Sequence, residues 1–119
     1  MKNVRRLILI IVLTWCAGVA SAYDAEVDGI YYDLYIKAKM ADVTSGDVAY
    51  KGDVTIPSSI TVDGVTYEVT GIDDNAFRSC QNLLSVSLPN TIASIGEYAF
   101  AYCYSLSSVH IPNSVWYIR

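Results

Sequence analysis

Residues Val86–Leu106, VSLPNTIASIGEYAFAYCYSL, form a unit whose pattern recurs elsewhere in the chain. Phe77 and Phe100 lie 23 residues apart (100 − 77), and nine apolar or conformationally special positions share this offset. They are Ile72, Ala76, Phe77, Cys80, Leu83, Val86, Leu88, Pro89 and Ile92, which correspond to Ile95, Ala99, Phe100, Cys103, Leu106, Val109, Ile111, Pro112 and Val115. A single unit of this size cannot bury its own apolar face, so the fixed period predicts stacked repeats that bury it between neighbours.

Each unit is expected to contain a short strand and a short helical segment. Val86-Ser87-Leu88 alternates apolar and polar side chains, which predicts a strand that ends at Pro89. Residues 97–103 lack that alternation and predict one or two turns of helix. The expected repeat core consists of Phe77, Cys80, Leu83, Val86, Phe100, Cys103, Leu106 and Val109.

An earlier unit begins at Val54 and carries an insertion. Residues 54–60 match residues 86–92, but Pro57 and Pro89 are 32 residues apart (89 − 57), nine more than the period. The surplus lies at about residues 61–70.

Two Asp-Gly pairs between apolar or β-branched residues, Asp63-Gly64 and Asp28-Gly29, each predict a tight hairpin. The first would form the insertion, and the second would precede the repeats. The expected organisation is a leader at 1–22, a β-rich region at 23–53, and repeats at 54–119 with two registers and an incomplete third.

The repeated unit resembles the BspA-like leucine-rich repeat, which is found in many bacterial surface and secreted proteins. The resemblance covers residues 54–119 and implies a right-handed solenoid with one strand and one helical turn in each coil. It also implies an adhesin-like role toward a host or neighbouring-cell protein or glycan. The family motif contains no catalytic residue, so no enzyme activity, cofactor or metal is expected. Asp73 stands where the next unit has Gly96, so a different turn is expected there.

The first 22 residues have the three parts of a secretory signal. Lys2, Arg5 and Arg6 precede an apolar run, and Ala20-Ser21-Ala22 is a small-residue cleavage site, so we expect export with cleavage after Ala22. An uncleaved membrane anchor is the alternative, although the apolar run is shorter than the ~20 residues that a span requires. Lipid attachment at Cys16 is not expected because Trp15 precedes it.

The charge balance excludes nucleic acid as an expected partner. The chain of 119 residues has 12 acidic and 8 basic residues. Without the leader and its three bases, 12 acidic and 5 basic residues remain, which is a net charge of −7. Phosphate-backbone binding depends on Lys and Arg contacts, which this part of the chain largely lacks.

Residues that carry chemistry in other proteins favour structural interpretations here. Cys80 and Cys103 occupy equivalent repeat positions and are expected to be apolar core residues, with a disulfide as the alternative. His110 occupies an outward strand position without an acid at an equivalent place, so catalysis is not expected. The carboxylates, including Asp73 and Asp74, follow no calcium-loop pattern and are expected to be solvated.

The expected contact surface combines an outward strand ladder with exposed tyrosines, because tyrosine is enriched in recognition surfaces. The alternative for the tyrosines is that they cover the outer core. A second hypothesis for the whole chain is a truncated repeat fragment or structural remnant without its own ligand. The open edge of the incomplete third repeat would then favour self-association. The candidate contact residues are Thr55, Ser87, His110, Tyr98, Tyr102 and Tyr104.

Overall fold

A computed structural model describes residues 23–119. The expected leader and its cleavage site after Ala22 lie outside the described residues. The described part of the chain forms ten strands: β1 (Ala25–Val27), β2 (Ile30–Tyr35), β3 (Met40–Thr44), β4 (Gly52–Thr55), β5 (Ser59–Val62), β6 (Val65–Ile72), β7 (Leu83–Ser87), β8 (Ser94–Ile95), β9 (Ser108–His110) and β10 (Tyr117–Ile118).

Both predicted hairpins are confirmed. β1 and β2 pair antiparallel around Asp28-Gly29, and β5 and β6 pair antiparallel around Asp63-Gly64. All four turn residues have φ between 51° and 83°, the left-handed conformation that a two-residue type I′ turn requires. The Asp-Gly pair therefore specifies each hairpin locally.

The repeats wind between two sheets. In the larger sheet the parallel neighbours are β3, β6, β8 and β10, with β1 and β2 added antiparallel at one end and β5 paired to β6. The smaller sheet consists of the parallel strands β4, β7 and β9. The coil that starts at β6 passes through an arc, residues 73–82, into β7, and then through a turn into β8.

The predicted helical turn is wrong, since residues 23–119 contain no helix. Asn75 and Ser79 in the first arc have φ of 62° and 63°, and their equivalents Tyr98 and Tyr102 have φ of 56° and 60°. A right-handed helix cannot continue through such residues.

The backbone of the arc alternates between short-range bonds within the arc and bonds to the next coil. The N–H groups of Asn75, Phe77 and Ser79 donate to the carbonyls of Glu97, Ala99 and Ala101, at 2.8–2.9 Å. Alternate backbone groups of the arc therefore form a ladder between coils, as they do in the strands. Stacking therefore satisfies the N–H groups that the short-range bonds of the arc leave over.

A column of aromatic rings runs along the stacked coils and into the N-terminal region. Successive ring centroids of Tyr23, Tyr31, Tyr50, Phe77 and Phe100 are 4.6, 5.8, 4.7 and 5.1 Å apart, and the two phenylalanine rings are parallel within 6°. These aromatic contacts contribute stabilisation beyond that from the apolar area that the rings bury. The N-terminal region thus continues the core of the repeats with tyrosine in the place of phenylalanine.

Burial of the expected repeat core differs between the two coils. Phe77, Cys80, Leu83 and Val86 in the first coil are buried, because described structure covers them on both sides. Their equivalents in the second coil are partly buried and pack against the same core. These are Phe100, Cys103, Leu106 and Val109.

The substitution of Asp73 for glycine has a structural reason. At Gly96 a Cβ atom would lie 2.4 Å from the backbone nitrogen of Asp74 in the preceding coil, so only glycine fits there. Asp73 follows β6 next to β3 of the N-terminal region, where its N–H donates to the Val43 carbonyl at 2.8 Å. The neighbour on that side is a different element, which leaves room for a side chain.

Candidate binding surfaces

Three exposed tyrosines and one arginine form a cluster on the arcs. The guanidinium carbon of Arg78 lies 5.5 Å from the ring centroid of Tyr98 and 5.4 Å from that of Tyr102. The ring of Tyr104 meets that of Tyr102 edge-on at 6.2 Å. The exposed fractions of Tyr98, Tyr102 and Tyr104 are 60%, 51% and 74%, so these rings do not cover the core. We call these four residues the tyrosine cluster.

The backbone under two of these tyrosines is unusual for their side chains. Tyr98 and Tyr102 take the left-handed conformation that Asn75 and Ser79 take one coil earlier. Small polar residues tolerate this region, whereas a bulky side chain loses about 1–2 kcal/mol there. Backbone preference therefore does not explain why tyrosine occupies both positions. The cation–π contacts with Arg78 offset part of this loss, at roughly 0.5–1 kcal/mol for an exposed contact.

The expected strand ladder is present on the outer face of the smaller sheet. Thr55, Ser87 and His110 are direct neighbours across β4, β7 and β9, and all three are exposed. A second row, Asp53, Ser85 and Ser108, lies beside them on the same face. The Ser85 hydroxyl donates to the Asp53 carboxylate at 2.7 Å. The face is therefore polar and made of short side chains, with His110 as its largest.

The tyrosines divide equally between core and surface, which the sequence analysis did not separate. Five are buried, four of them in the N-terminal region and one in β6, and five are exposed. The Tyr50 hydroxyl donates to the Thr44 carbonyl at 2.6 Å and accepts the Tyr31 N–H at 2.9 Å. The buried set is Tyr23, Tyr31, Tyr32, Tyr50 and Tyr67, and the exposed set is Tyr35, Tyr98, Tyr102, Tyr104 and Tyr117.

A carboxylate cluster that the sequence analysis missed lies where the N-terminal region joins the repeats. Asp33 and Asp42 are direct neighbours on β2 and β3, and Asp73 follows β6 beside them. Burial, then hydrogen bonding and repulsion from Asp33 and Asp42, raises the pKa of Asp73 to about 8. Within residues 23–119, no group of three or more His, Cys, Asp or Glu side chains is placed to hold a metal ion.

The two cysteines of the repeats are free thiols, so the alternative of a disulfide is wrong. Cys80 is buried and Cys103 is half-buried, with its sulfur 2.9 Å from the Phe77 carbonyl. Burial raises the pKa of both thiols, which keeps them protonated and slow to react.

The last described coil exposes an apolar edge. Ile111, Trp116, Tyr117 and Ile118 are all exposed, and Trp116 packs only loosely on Tyr117, with ring centroids 6.0 Å apart. Self-association through this edge stays a prediction.

Fold and surfaces together define a stacked repeat scaffold with an exposed aromatic cluster and a polar strand ladder. A model of the BspA type leucine rich repeat region matches residues 52–119 in six copies. The chain belongs to this family, and the resemblance seen in the sequence is confirmed.

Solved structures of bacterial repeat proteins are similar to this chain. A leucine-rich repeat protein from Bacteroides ovatus is 31% identical with a TM-score of 0.73, over 78% of this chain and 24% of that one. One from Bacteroides capillosus is 32% identical with a TM-score of 0.70, over 79% of this chain and 69% of that one. A leucine rich cell surface protein from Faecalibacterium prausnitzii is 30% identical with a TM-score of 0.64, over 79% of this chain and 26% of that one.

This chain therefore spans about a quarter of the Bacteroides ovatus protein. A search of functionally curated proteins found no match. The family and the similar structures describe a protein-binding repeat scaffold and indicate no enzyme family. In the part of the chain that the structure describes, no helix has the length and apolar character needed to cross a membrane.

Proposed function

We propose that this chain is an exported, adhesin-like module that binds a protein or glycan on a host or neighbouring cell. The observation that carries the proposal is the tyrosine cluster, in which Tyr98 and Tyr102 are exposed on left-handed backbone and both contact Arg78. Export is supported by the signal-like features of residues 1–22 and by the similarity to a cell surface protein.

The cluster has the composition of a binding hot spot. Tyrosine and arginine are the side chains that most often dominate interface energies, and tyrosine loses little conformational entropy on binding. Arg78 restrains two of the rings before a partner arrives, which lowers the ordering cost further. The strain under Tyr98 and Tyr102 fits a surface selected for contact rather than for stability.

The strand ladder adds polar contacts to the proposal. Thr55, Ser87 and His110 offer hydroxyl and imidazole groups in one row. Such groups fix the orientation of a protein or glycan through hydrogen bonds. Binding would involve surface complementarity alone, without a chemical step.

The cluster is tested by adhesion of beads that carry the exported chain to surfaces coated with matrix proteins or cell-surface glycans. A variant with Tyr98→Asn, Tyr102→Asn and Tyr104→Ser should lose capture by at least about tenfold, since hot-spot residues each contribute ~2 kcal/mol or more. Tyr35→Ser is the matched control, because Tyr35 is exposed to 48% but lies outside the cluster.

The asparagine substitutions suit the left-handed backbone, so circular dichroism should show both variants folded like the parent. Capture by the cluster variant equal to that of the parent would contradict the proposal. So would a folded parent chain that binds none of the coated surfaces.

Export is tested by the intact mass of the chain from the source cells and from their medium. We expect a species that begins at Tyr23, because the small residues before it fit a signal-peptidase site. A membrane-bound species that still begins at Met1 would favour the uncleaved anchor.

A further inference from the structure

A groove runs along the free edge of β4 and shares no residue with the tyrosine cluster. β4 is the outermost strand of the smaller sheet and pairs only with β7. Its other edge faces a cavity of about 460 Å³ that the β1–β2 hairpin bounds on the opposite side. An unpaired strand edge beside an open cavity is a template for the addition of another strand.

The backbone of β4 presents hydrogen-bonding groups to this groove. The N–H of Gly52 donates to the Asn82 carbonyl and that of Ile56 to the Ser87 carbonyl, both at 2.9 Å. Alternate residues of a strand face the same neighbour, so the N–H and C=O groups of Asp53 and Thr55 face the groove. Among residues 23–119, no strand pairs with β4 on this side.

The floor of the groove is already held in place. It is the segment before β4, in which the Val48 N–H donates to the Tyr31 hydroxyl at 3.2 Å. Gly46 lies so close to the Tyr31 ring that a Cβ atom would be 2.2 Å from it. Because these contacts fix the floor, a ligand would not have to order it, which favours affinity.

The charge of the groove favours a basic ligand. Its walls carry three carboxylates, Glu26, Asp28 and Asp53, against one ammonium, Lys51. A basic ligand would be attracted, whereas a second copy of this chain would bring the same carboxylates against them. Val48, which is 64% exposed at the floor, offers contact to an apolar side chain.

We propose that this groove binds an extended peptide segment of a partner protein, with alternating basic and apolar residues, as a strand added to β4. Main-chain bonds to Asp53 and Thr55 supply affinity, and the basic side chains face the carboxylates. Successive side chains of the added strand point to opposite faces, which places the apolar ones toward the floor.

The test uses three synthetic peptides, GKVKVKG, GKPKPKG and GEVEVEG, and follows binding to the full chain by fluorescence anisotropy. The first should bind, and more weakly as salt is raised. The second keeps the charge but lacks two donors and cannot form the ladder, so it should bind at least about tenfold more weakly. The third should not bind. Equal binding of the first two would overturn strand addition, and equal binding of the first and third would overturn the charge selection.

Amide hydrogen exchange locates the site without any substitution. The Asp53 and Thr55 amides should become protected when GKVKVKG is added, because they gain acceptors. Unchanged exchange at both would overturn the proposal. Protection that rises with protein concentration alone would also overturn it, in favour of a second copy as the occupant.

Two variants at Thr55 isolate the main-chain contribution. Thr55→Pro removes an N–H that faces the groove, while β4 keeps its bonds to β7. Thr55→Ala removes the side chain and keeps the N–H. The proline variant should bind GKVKVKG about tenfold more weakly than the alanine variant. Equal affinities would overturn the proposal, and the exchange measurement on the parent decides it if the proline variant does not fold.

Discussion

The substitution Asp73→Asn should make the chain more stable at alkaline pH. Asp73 lies beside Asp33 and Asp42, and burial followed by these neighbours raises its pKa from 3.8 to about 8. A carboxyl group with a raised pKa in the folded state stabilises that state only while it is protonated. Its contribution is fully present below pH 4 and is lost as the pH rises through 8.

The size of the effect follows from the same pKa. A change from 3.8 to about 8 corresponds to at most about 6 kcal/mol. Solvent screening of this half-buried side chain reduces that to on the order of 1–3 kcal/mol. Asparagine resembles the protonated acid and can donate to the two neighbouring carboxylates. We therefore expect the free energy of unfolding of the variant to be about 1–3 kcal/mol higher than that of the parent at pH 9. Near pH 4 the two values should be equal.

The assay is urea unfolding followed by fluorescence at pH 4, 6 and 9 for the parent, Asp73→Asn and Asp63→Asn. Asp63 lies in the exposed β5–β6 turn, where asparagine suits the same left-handed backbone, so this control should change stability by less than about 0.5 kcal/mol. A constant difference between Asp73→Asn and the parent across the pH range would refute the reasoning. A parent that becomes more stable than the variant at pH 9 would refute it as well.

Three further predictions concern packing. Phe77→Ala removes a fully buried ring from the aromatic column and should lower the free energy of unfolding by about 3–5 kcal/mol, as measured by urea unfolding. Gly96→Ala places a methyl group against the Asp74 backbone and should destabilise by about 1–3 kcal/mol in the same assay; an unchanged midpoint would contradict this close approach. Cys80 and Cys103 should react with a thiol reagent quickly only after unfolding, and reduction should leave the intact mass unchanged.

Local patterns in the sequence were sufficient to predict the repeat, its period and the two hairpins. The 23-residue offset between Phe77 and Phe100 follows from the equivalent place of both rings in stacked coils. Asp28-Gly29 and Asp63-Gly64 specify their turns because few other residue pairs take left-handed backbone twice in succession. Outward positions in the strands, including Thr55, Ser87 and His110, followed from the period-two alternation.

The arcs show why the local pattern led to a wrong prediction of helix. Residues 97–103 lack strand alternation, and a helix is the usual way for an isolated segment to satisfy its backbone. Here alternate backbone groups bond to the neighbouring coil, as the 2.8 Å bond from the Phe77 N–H to the Ala99 carbonyl shows. The partner is 22 residues away along the chain (99 − 77), so the segment itself carries no signal of it.

Taken alone, the sequence determined that apolar residues repeat at one period. It also determined that they must be buried by stacking, because a single unit cannot bury its own apolar face. Only the tertiary structure decided which tyrosines are core and which are surface, since Tyr50 and Tyr102 look alike until the neighbouring elements are placed. The same holds for the pKa of Asp73 and the free edge of β4. Burial, repulsion between carboxylates and an unpaired strand edge all depend on residues that are distant in the chain and become neighbours only when it folds.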